Sequence, residues 1–192
     1  MTQKSSRREQ RRSQQRQEQI RRNLLWVVVG LAVLVVIGVI VWQGVRPRAG
    51  VEMPVMQSDH IPTDSDPGEY NSDPPTSGPH YADELDAGFY ESNNYQYPAG
   101  YLVHNLEHGY IIFWYNCARL DEGDCAELQT QIKSVMDEVN NVKVIAYPWD
   151  TLDVPVVITS WGRMQEMQSF DATQARAFYK ANLNNAPEPN AP

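Results

Sequence analysis

Two histidines separated by three residues, His104 and His108, are the side chains whose type and spacing say most about chemistry. A third histidine, His80, ends a proline-rich stretch at residues 74–80. Imidazole is the side chain best suited to bind divalent transition metals and to transfer protons near neutral pH. The sequence therefore predicts a metal or proton site to which His80, His104 and His108 contribute.

The spacing of His104 and His108 is compatible with two local structures. On a helix, residues i and i+4 lie on one face, which suits capture of a metal by both rings. Alternatively, His104 ends a strand at residues 101–103 and Gly109 reverses the chain, so that both rings reach one rim. The apolar run at residues 110–115 favours the short turn, because that run predicts a strand.

Two further residues are candidate ligands, His60 and Glu107. Glu107 could instead orient a histidine ring as a hydrogen-bond acceptor. The string from His104 to His108 also matches the inverzincin protease pattern, in which Glu107 would be the general base. That pattern needs a long helix, and the strand predicted after Gly109 argues against one.

The elements that must position these side chains follow from hydrophobic periodicity after residue 100. Strands are predicted at residues 110–115, 142–147 and 154–161, and helices at residues 124–139 and 171–183. A compact strand–helix–strand order favours parallel pairing through a right-handed crossover. The expected fold is a small α/β sandwich with a β-α-β-β-α core behind a turn-rich N-terminal half. We expect the globular domain to span residues 59–183, followed by a flexible tail at residues 184–192.

The N-terminal residues predict a membrane anchor. Residues 24–45 carry no charged side chain and consist mostly of Val, Leu, Ile, Ala and Gly. As a helix rising about 1.5 Å per residue, this run would cross a hydrocarbon core about 30 Å thick. Residues 1–23 hold eight basic and two acidic side chains, which predicts a cytoplasmic tail. The rest of the chain, joined by a linker at residues 46–58, is then expected outside a bacterial cell membrane.

The part predicted to be exported is strongly acidic, with six basic and 22 acidic side chains in residues 49–192. This charge would repel nucleic acid, so we expect no nucleic-acid partner. The basic tail at residues 1–23 is the rival candidate for such a partner. It has no aromatic side chain and no folded scaffold beside it, so we favour its role in topology.

Cys117 and Cys125 are the only cysteines, and both lie in the part predicted to be exported. An oxidising compartment makes a disulfide between them the expected state. Seven intervening residues are too many for a Cys-x-x-Cys redox motif, so thiol–disulfide catalysis has little support.

Three strings of the sequence together resemble the bacterial domain-of-unknown-function family 3105: YNSDPPTSGPH at residues 70–80, LVHNLEHG at 102–109 and SWGR at 160–163. The resemblance covers residues 58–182 and implies a membrane-anchored or exported protein without an established reaction. The family's motif positions include His60, His80, His104, Glu107 and His108. Tyr110 stands where the family usually has a small residue. The resemblance thus implies a shared site and no particular activity.

Three hypotheses for function follow. The first is a membrane-anchored extracytoplasmic domain that binds copper or zinc through His80, His104 and His108, because three imidazoles with an open position suit either metal. The second is a metal-dependent hydrolase with Glu107 as general base. The third is an envelope interaction module in which the histidines only hold the turns together.

Overall fold

The computed structural model of the chain describes residues 21, 23–39, 48–91, 97–121 and 123–191. These residues belong to two compact units, Met1–Pro47 and Arg48–Pro192. The predicted cytoplasmic tail lies outside the described residues except for residues 21 and 23, which are helical.

The first unit contains a helix, α1, over residues 23–39. Within the described residues, no helix is long and apolar enough to cross a membrane, and this finding corrects the predicted span at residues 24–45. Residues 40–45 of the predicted span lie outside the described residues.

The second unit carries the site, and its described residues form eight strands and three α-helices. The strands are β1 (Val51–Glu52), β2 (His60–Ile61), β3 (His80–Tyr81), β4 (Gly88–Phe89), β5 (Ile111–Tyr115), β6 (Val144–Pro148), β7 (Val156–Ser160) and β8 (Arg163–Met167). The helices are α2 (Ala99–Glu107), α3 (Asp124–Glu138) and α4 (Ala172–Asn182), and a 3-10 helix spans Cys117–Arg119.

Six of the strands form one mixed sheet in the order β1-β8-β7-β5-β6-β4. Strands β5 and β6 are parallel, as the strand–helix–strand order of β5, α3 and β6 predicts, and β4 also pairs with β6 in parallel. The other neighbours, β5 with β7, β7 with β8 and β8 with β1, are antiparallel. The remaining strands, β2 and β3, form a separate parallel pair.

The central strand β5 is buried on both faces, which explains its unbroken apolar sequence. Ile111 and Phe113 face a core that includes α3 and α4. Ile112 and Trp114, which alternate with them, face a second core that includes α2. The sheet therefore separates α3 and α4 from α2, and the candidate site lies on the α2 side.

The structure corrects two local expectations. Residues 99–107 are a helix, whereas the sequence favoured a strand at 101–103 followed by a turn. Leu102, Val103 and Leu106 are fully buried, and a short buried apolar run does not distinguish a strand from a helix by its periodicity. Strand β8 was also missed, because its sequence is largely polar and it is defined by pairing with β7.

The fold is therefore a mixed α/β fold with a six-stranded sheet. This replaces the predicted combination of a single membrane span and a β-α-β-β-α sandwich. The difference arises because β1 and β4 join the sheet through long-range hydrogen bonds that local hydrophobic patterns do not reveal, and because the polar sequence of β8 gives no such pattern.

Candidate metal centre

Helix α2 delivers His104 and Glu107, and His108 follows as its C-terminal cap. The main-chain N–H of His108 donates to the carbonyl of His104 at 3.1 Å, so the two rings lie one helical turn apart. The helix stops at Gly109, which adopts a φ of +86°. A Cβ at Gly109 would lie 2.6 Å from the Cα of Asn184, so the C-terminal segment also requires glycine here.

His80 is held rigidly at the start of β3. Its Nδ1 lies 2.8 Å from the carbonyl oxygen of Gly78, which adopts a φ of +128°. The hydroxyl of Tyr70 donates to the next carbonyl, that of Pro79, at 2.9 Å. Because the Gly78 carbonyl can only accept, Nδ1 of His80 is the donor in this contact, and Nε2 is the ring nitrogen that faces the site.

Contact with α2 sets the position of β3. Tyr81, the residue after His80, packs edge-on against Tyr101 with ring centroids 5.0 Å apart. Gly100 lies beneath the ring of Tyr81, where a Cβ would lie 2.8 Å from a ring carbon. The absence of a side chain at Gly100 therefore allows β3 to approach α2 closely.

Four of the predicted residues converge. His60, His80, His104 and Glu107 each offer one nitrogen or oxygen atom, and these atoms all lie within 4.8 Å of one another. His80, His104 and Glu107 are buried, whereas half of the His60 side chain is exposed. Protein thus encloses three of the four residues, and the group is open to solvent at His60.

Within this group, the Nε2 atom of His80 lies 2.8 Å from Oε2 of Glu107, and Nε2 of His60 lies 3.9 Å from the same oxygen. Despite the short distance, neither His80 Nε2 nor Glu107 Oε2 has a hydrogen-bond partner among the described residues. An imidazole nitrogen and a carboxylate oxygen therefore face each other in a buried place.

His108 lies in a second group, apart from His80. Its Nε2 is 3.0 Å from Nε2 of His104, and its Nδ1 is 2.5 Å from Oε2 of Glu84. Glu84, His104 and His108 also satisfy the distances of a metal-binding group. The structure thus divides the predicted set of His80, His104 and His108, with His104 common to both groups.

Glu84 is a site residue that sequence reasoning missed. It lies in a stretch of acidic residues, Asp83, Glu84 and Asp86, in which no spacing distinguishes a ligand from a solvated carboxylate. Its position is fixed by tertiary contact, because the side chain of Asn105 on α2 bonds both main-chain groups of Leu85. The Leu85 N–H donates to Oδ1 at 3.1 Å, and Nδ2 donates to the Leu85 carbonyl at 2.8 Å.

Burial lowers the pKa of His104, and the neighbouring rings of His108 and His80 lower it further. The main chain of Asp83 and the carboxylate of Glu84 act in the opposite direction without cancelling the shift. His104 is consequently neutral near pH 7, as a metal ligand must be.

The C-terminal segment, predicted to be flexible, bonds to the end of α2. The N–H groups of Asn184 and Glu188 donate to the carbonyls of Gly109 and Glu107, each at 3.0 Å. The ammonium of Lys143 donates to the His108 carbonyl at 3.0 Å and to the Pro189 carbonyl at 3.1 Å. These bonds bring the carboxylate of Glu188 within 3.7 Å of His108 Nε2.

Cys117 and Cys125 form the predicted disulfide, with their Cα atoms 5.2 Å apart. The bridge joins the 3-10 helix to the first turn of α3. Since α3 packs on the face of the sheet opposite α2, the bridge stabilises a part of the domain away from the histidines.

Comparison with known proteins places the chain in a family. The sequence model described as "Protein of unknown function (DUF3105)" matches residues 62–192, so the chain belongs to that family. No curated protein and no solved structure matches the chain significantly.

Proposed function

We propose that this member of DUF3105 binds a late first-row transition metal ion, Zn(II) or Cu(II), through His60, His80, His104 and Glu107. The observation that carries the proposal is the contact between His80 and Glu107. These two buried atoms lie 2.8 Å apart, and neither has a hydrogen-bond partner among the described residues. A bound cation would pair with both atoms.

The ligand set suits this class of ion. Three imidazoles and one carboxylate are typical ligands of Zn(II), and imidazole also suits Cu(II). An ion about 2.0–2.2 Å from each of two ligand atoms separates those atoms by roughly 2.8–3.6 Å. The His80–Glu107 distance lies in that range, and the half-exposed His60 can close its 3.9 Å distance by rotating its side chain.

The surroundings of His80 are those of a preorganised ligand. A ligating histidine usually donates its second ring N–H to a carbonyl or carboxylate, which fixes the tautomer. The Nδ1 of His80 has such a partner in the Gly78 carbonyl. His60 supplies an exposed side through which an ion can enter.

The position of Glu107 favours metal binding over hydrolysis. A general base must reach a water molecule, but Glu107 is 3% exposed and its Oε2 faces the rings of His80 and His60. We therefore assign Glu107 as a ligand. The disulfide supports an oxidising compartment for this unit, where Cu(II) is the accessible state of copper.

The experiment uses the full chain, stripped of metal by a chelator and titrated with Zn(II), Cu(II) and Mg(II) against a competing indicator. We expect Zn(II) or Cu(II) to bind and to raise the melting temperature, whereas Mg(II), which prefers oxygen ligands, should not. An ion at 100 times its Kd would add about 2.7 kcal/mol to the free energy of unfolding.

The variants are His80→Ala and Glu107→Gln, with Glu166→Gln, which changes an exposed carboxylate on strand β8, as the control. Loss of a residue that only orients a ligand weakens metal binding by about 10–100-fold, so loss of a ligand should exceed that range. Glu166→Gln should bind as the wild type does. Equal affinity in the wild type, His80→Ala and Glu107→Gln would overturn the proposal, and so would the absence of binding by the wild type. Glu107→Gln keeps the test valid should His80→Ala not fold.

A further inference from the structure

We infer that Glu84, His104 and His108 form a second transition-metal site beside the first, and that the protein binds two ions. This inference rests on the proposed function, because His104 belongs to both sites. A neutral imidazole has one lone pair, so His104 would hold both ions as a bridging imidazolate, with one nitrogen on each ion and its proton released to solvent. The second site lies at the C-terminal end of α2, where the segment that carries Glu84 meets the helix.

The ligand atoms of the second site are as close and as buried as those of the first. His108 is 7% exposed, and its Nδ1 lies 2.5 Å from Oε2 of Glu84. Neither atom has a hydrogen-bond partner among the described residues. A buried imidazole nitrogen is thus directed at a carboxylate oxygen, as in the pair of His80 and Glu107.

The two rings of the second site are also spaced for a shared ion. The Nε2 atoms of His104 and His108 are 3.0 Å apart, with ring centroids 4.4 Å apart. This distance lies in the range of roughly 2.8–3.6 Å that a single ion imposes on two of its ligand atoms. A single ion takes one nitrogen from each ring, and Glu84, His104 and His108 each offer one such ligand atom within 4.8 Å of the others.

The charges around the second site favour a cation. The carboxylate of Glu84 contacts His108 directly, and Glu188 adds a second carboxylate 3.7 Å from His108 Nε2. The ammonium of Lys143 donates to the main-chain oxygens of His108, Pro189 and Ala191. Glu188 is more than half exposed, so the site is accessible from the C-terminal segment.

A different role for His108 makes a different prediction. The contact of 3.0 Å between His104 and His108 is also compatible with a hydrogen bond in which His108 only orients His104. In that case His108→Ala would weaken the binding of a single ion. A second site instead requires that His108→Ala remove one ion and leave another.

The experiment measures the number of bound ions in the full chain by native mass spectrometry, after titration with Zn(II) and, separately, Cu(II). We expect two ions per wild-type chain and one per chain of His108→Ala or Glu84→Gln. His80→Ala should also bind one ion, and His104→Ala should bind none with comparable affinity. Glu166→Gln should bind two ions, as a control for removal of a carboxylate elsewhere.

Replacement of Zn(II) by Co(II) gives a second readout, because visible ligand-field absorption reports the ligands of each ion. The His80→Ala and His108→Ala variants should lose different parts of that spectrum. A single wild-type ion whose affinity depends on His80 and Glu107 would overturn this inference and leave the proposed function intact. A single ion that depends on Glu84 and His108, but not on His80, would overturn the proposed function and reduce the two sites to one.

Discussion

His60 lies directly opposite His80 across the parallel pair of strands β2 and β3, with ring centroids 4.7 Å apart. A pair of strands with two residues each is too short to be stable by itself. It is held by the packing of Tyr81 against α2 and by the bond from the His80 N–H to the Asp59 carbonyl at 3.0 Å. A metal ion bound by both rings would add a third constraint on this pair.

Gly100→Ala tests whether the approach of β3 to α2 positions His80. In an ordinary helix interior, glycine to alanine gains about 1 kcal/mol of stability. Here the new Cβ would meet three ring atoms of the buried Tyr81 at 2.8 to 2.9 Å. Such overpacking costs about 1–3 kcal/mol, so we expect a net loss of stability and weaker Zn(II) binding.

The measurements for Gly100→Ala are the midpoint of denaturant unfolding and the competition titration with Zn(II). Gly88→Ala is the control, because a Cβ at this glycine meets no atom within 4 Å, its φ is not positive, and Gly88 lies on strand β4 outside the helix. An increase in the unfolding midpoint of Gly100→Ala would show that Tyr81 moves freely and would contradict the prediction.

Asn105→Leu tests how the segment that carries Glu84 is fixed. The substitution leaves the N–H and carbonyl of the buried Leu85 without their side-chain partners, at about 1–3 kcal/mol for each group. We expect lower stability and selective loss of the second ion, because Glu84 would no longer be held beside His108.

Asn182→Leu is the matched control for Asn105→Leu. Asn182 is equally buried and bonds the carbonyls of Ala49 and Phe178, on α4 and away from the histidines. It should lower the unfolding midpoint without changing the number of bound ions. Equal ion counts in both variants would show that Asn105 does not position the second site.

The lowered pKa of His104 predicts how the stability of the metal-free protein depends on pH. The ordinary pKa is 6.5, and the folded-state pKa lies below it. As the pH falls below about 6.5, the unfolded chain takes up a proton at His104 before the folded chain does. Stability from this residue is therefore complete above that pH and is lost as the pH falls towards the folded-state pKa.

Denaturant unfolding at about pH 8 and about pH 5 measures this effect. His104→Gln should lose less stability over this interval than the wild type, because the titrating group is absent. Zn(II) affinity of the wild type should fall in the same direction, since protons and the ion compete for the ring. The same loss of stability in both proteins would exclude His104 as the source.

Reduction of the Cys117–Cys125 disulfide should lower the free energy of unfolding by roughly 2–3 kcal/mol, from the loop-closure entropy of a short ring. Metal affinity should not change, because the bridge and α2 lie on opposite faces of the sheet. Both the free energy of unfolding and the metal affinity are measured for the wild type with and without reductant. The double variant Cys117→Ser/Cys125→Ser is measured in the same way. A drop in Zn(II) affinity on reduction would contradict this separation.

The sequence determined the features that depend on neighbouring residues. The apolar run of β5 indicated a strand buried on both faces, and the spacing of Leu128, Ile132 and Val135 indicated the buried face of α3. The two cysteines and the motif strings around His80 and His104 could also be recognised from the sequence, because each is a local pattern of residue types.

Only the tertiary structure decided which of these residues meet. The pairing of His60 with His80, the close contact of His80 with Glu107 and the place of Glu84 beside His108 all join separate segments of the chain. Such contacts depend on strand register and on packing against α2, where a glycine and a buried amide set distances that spacing along the chain does not contain. The fold therefore converted one predicted histidine cluster into two adjoining groups that share His104.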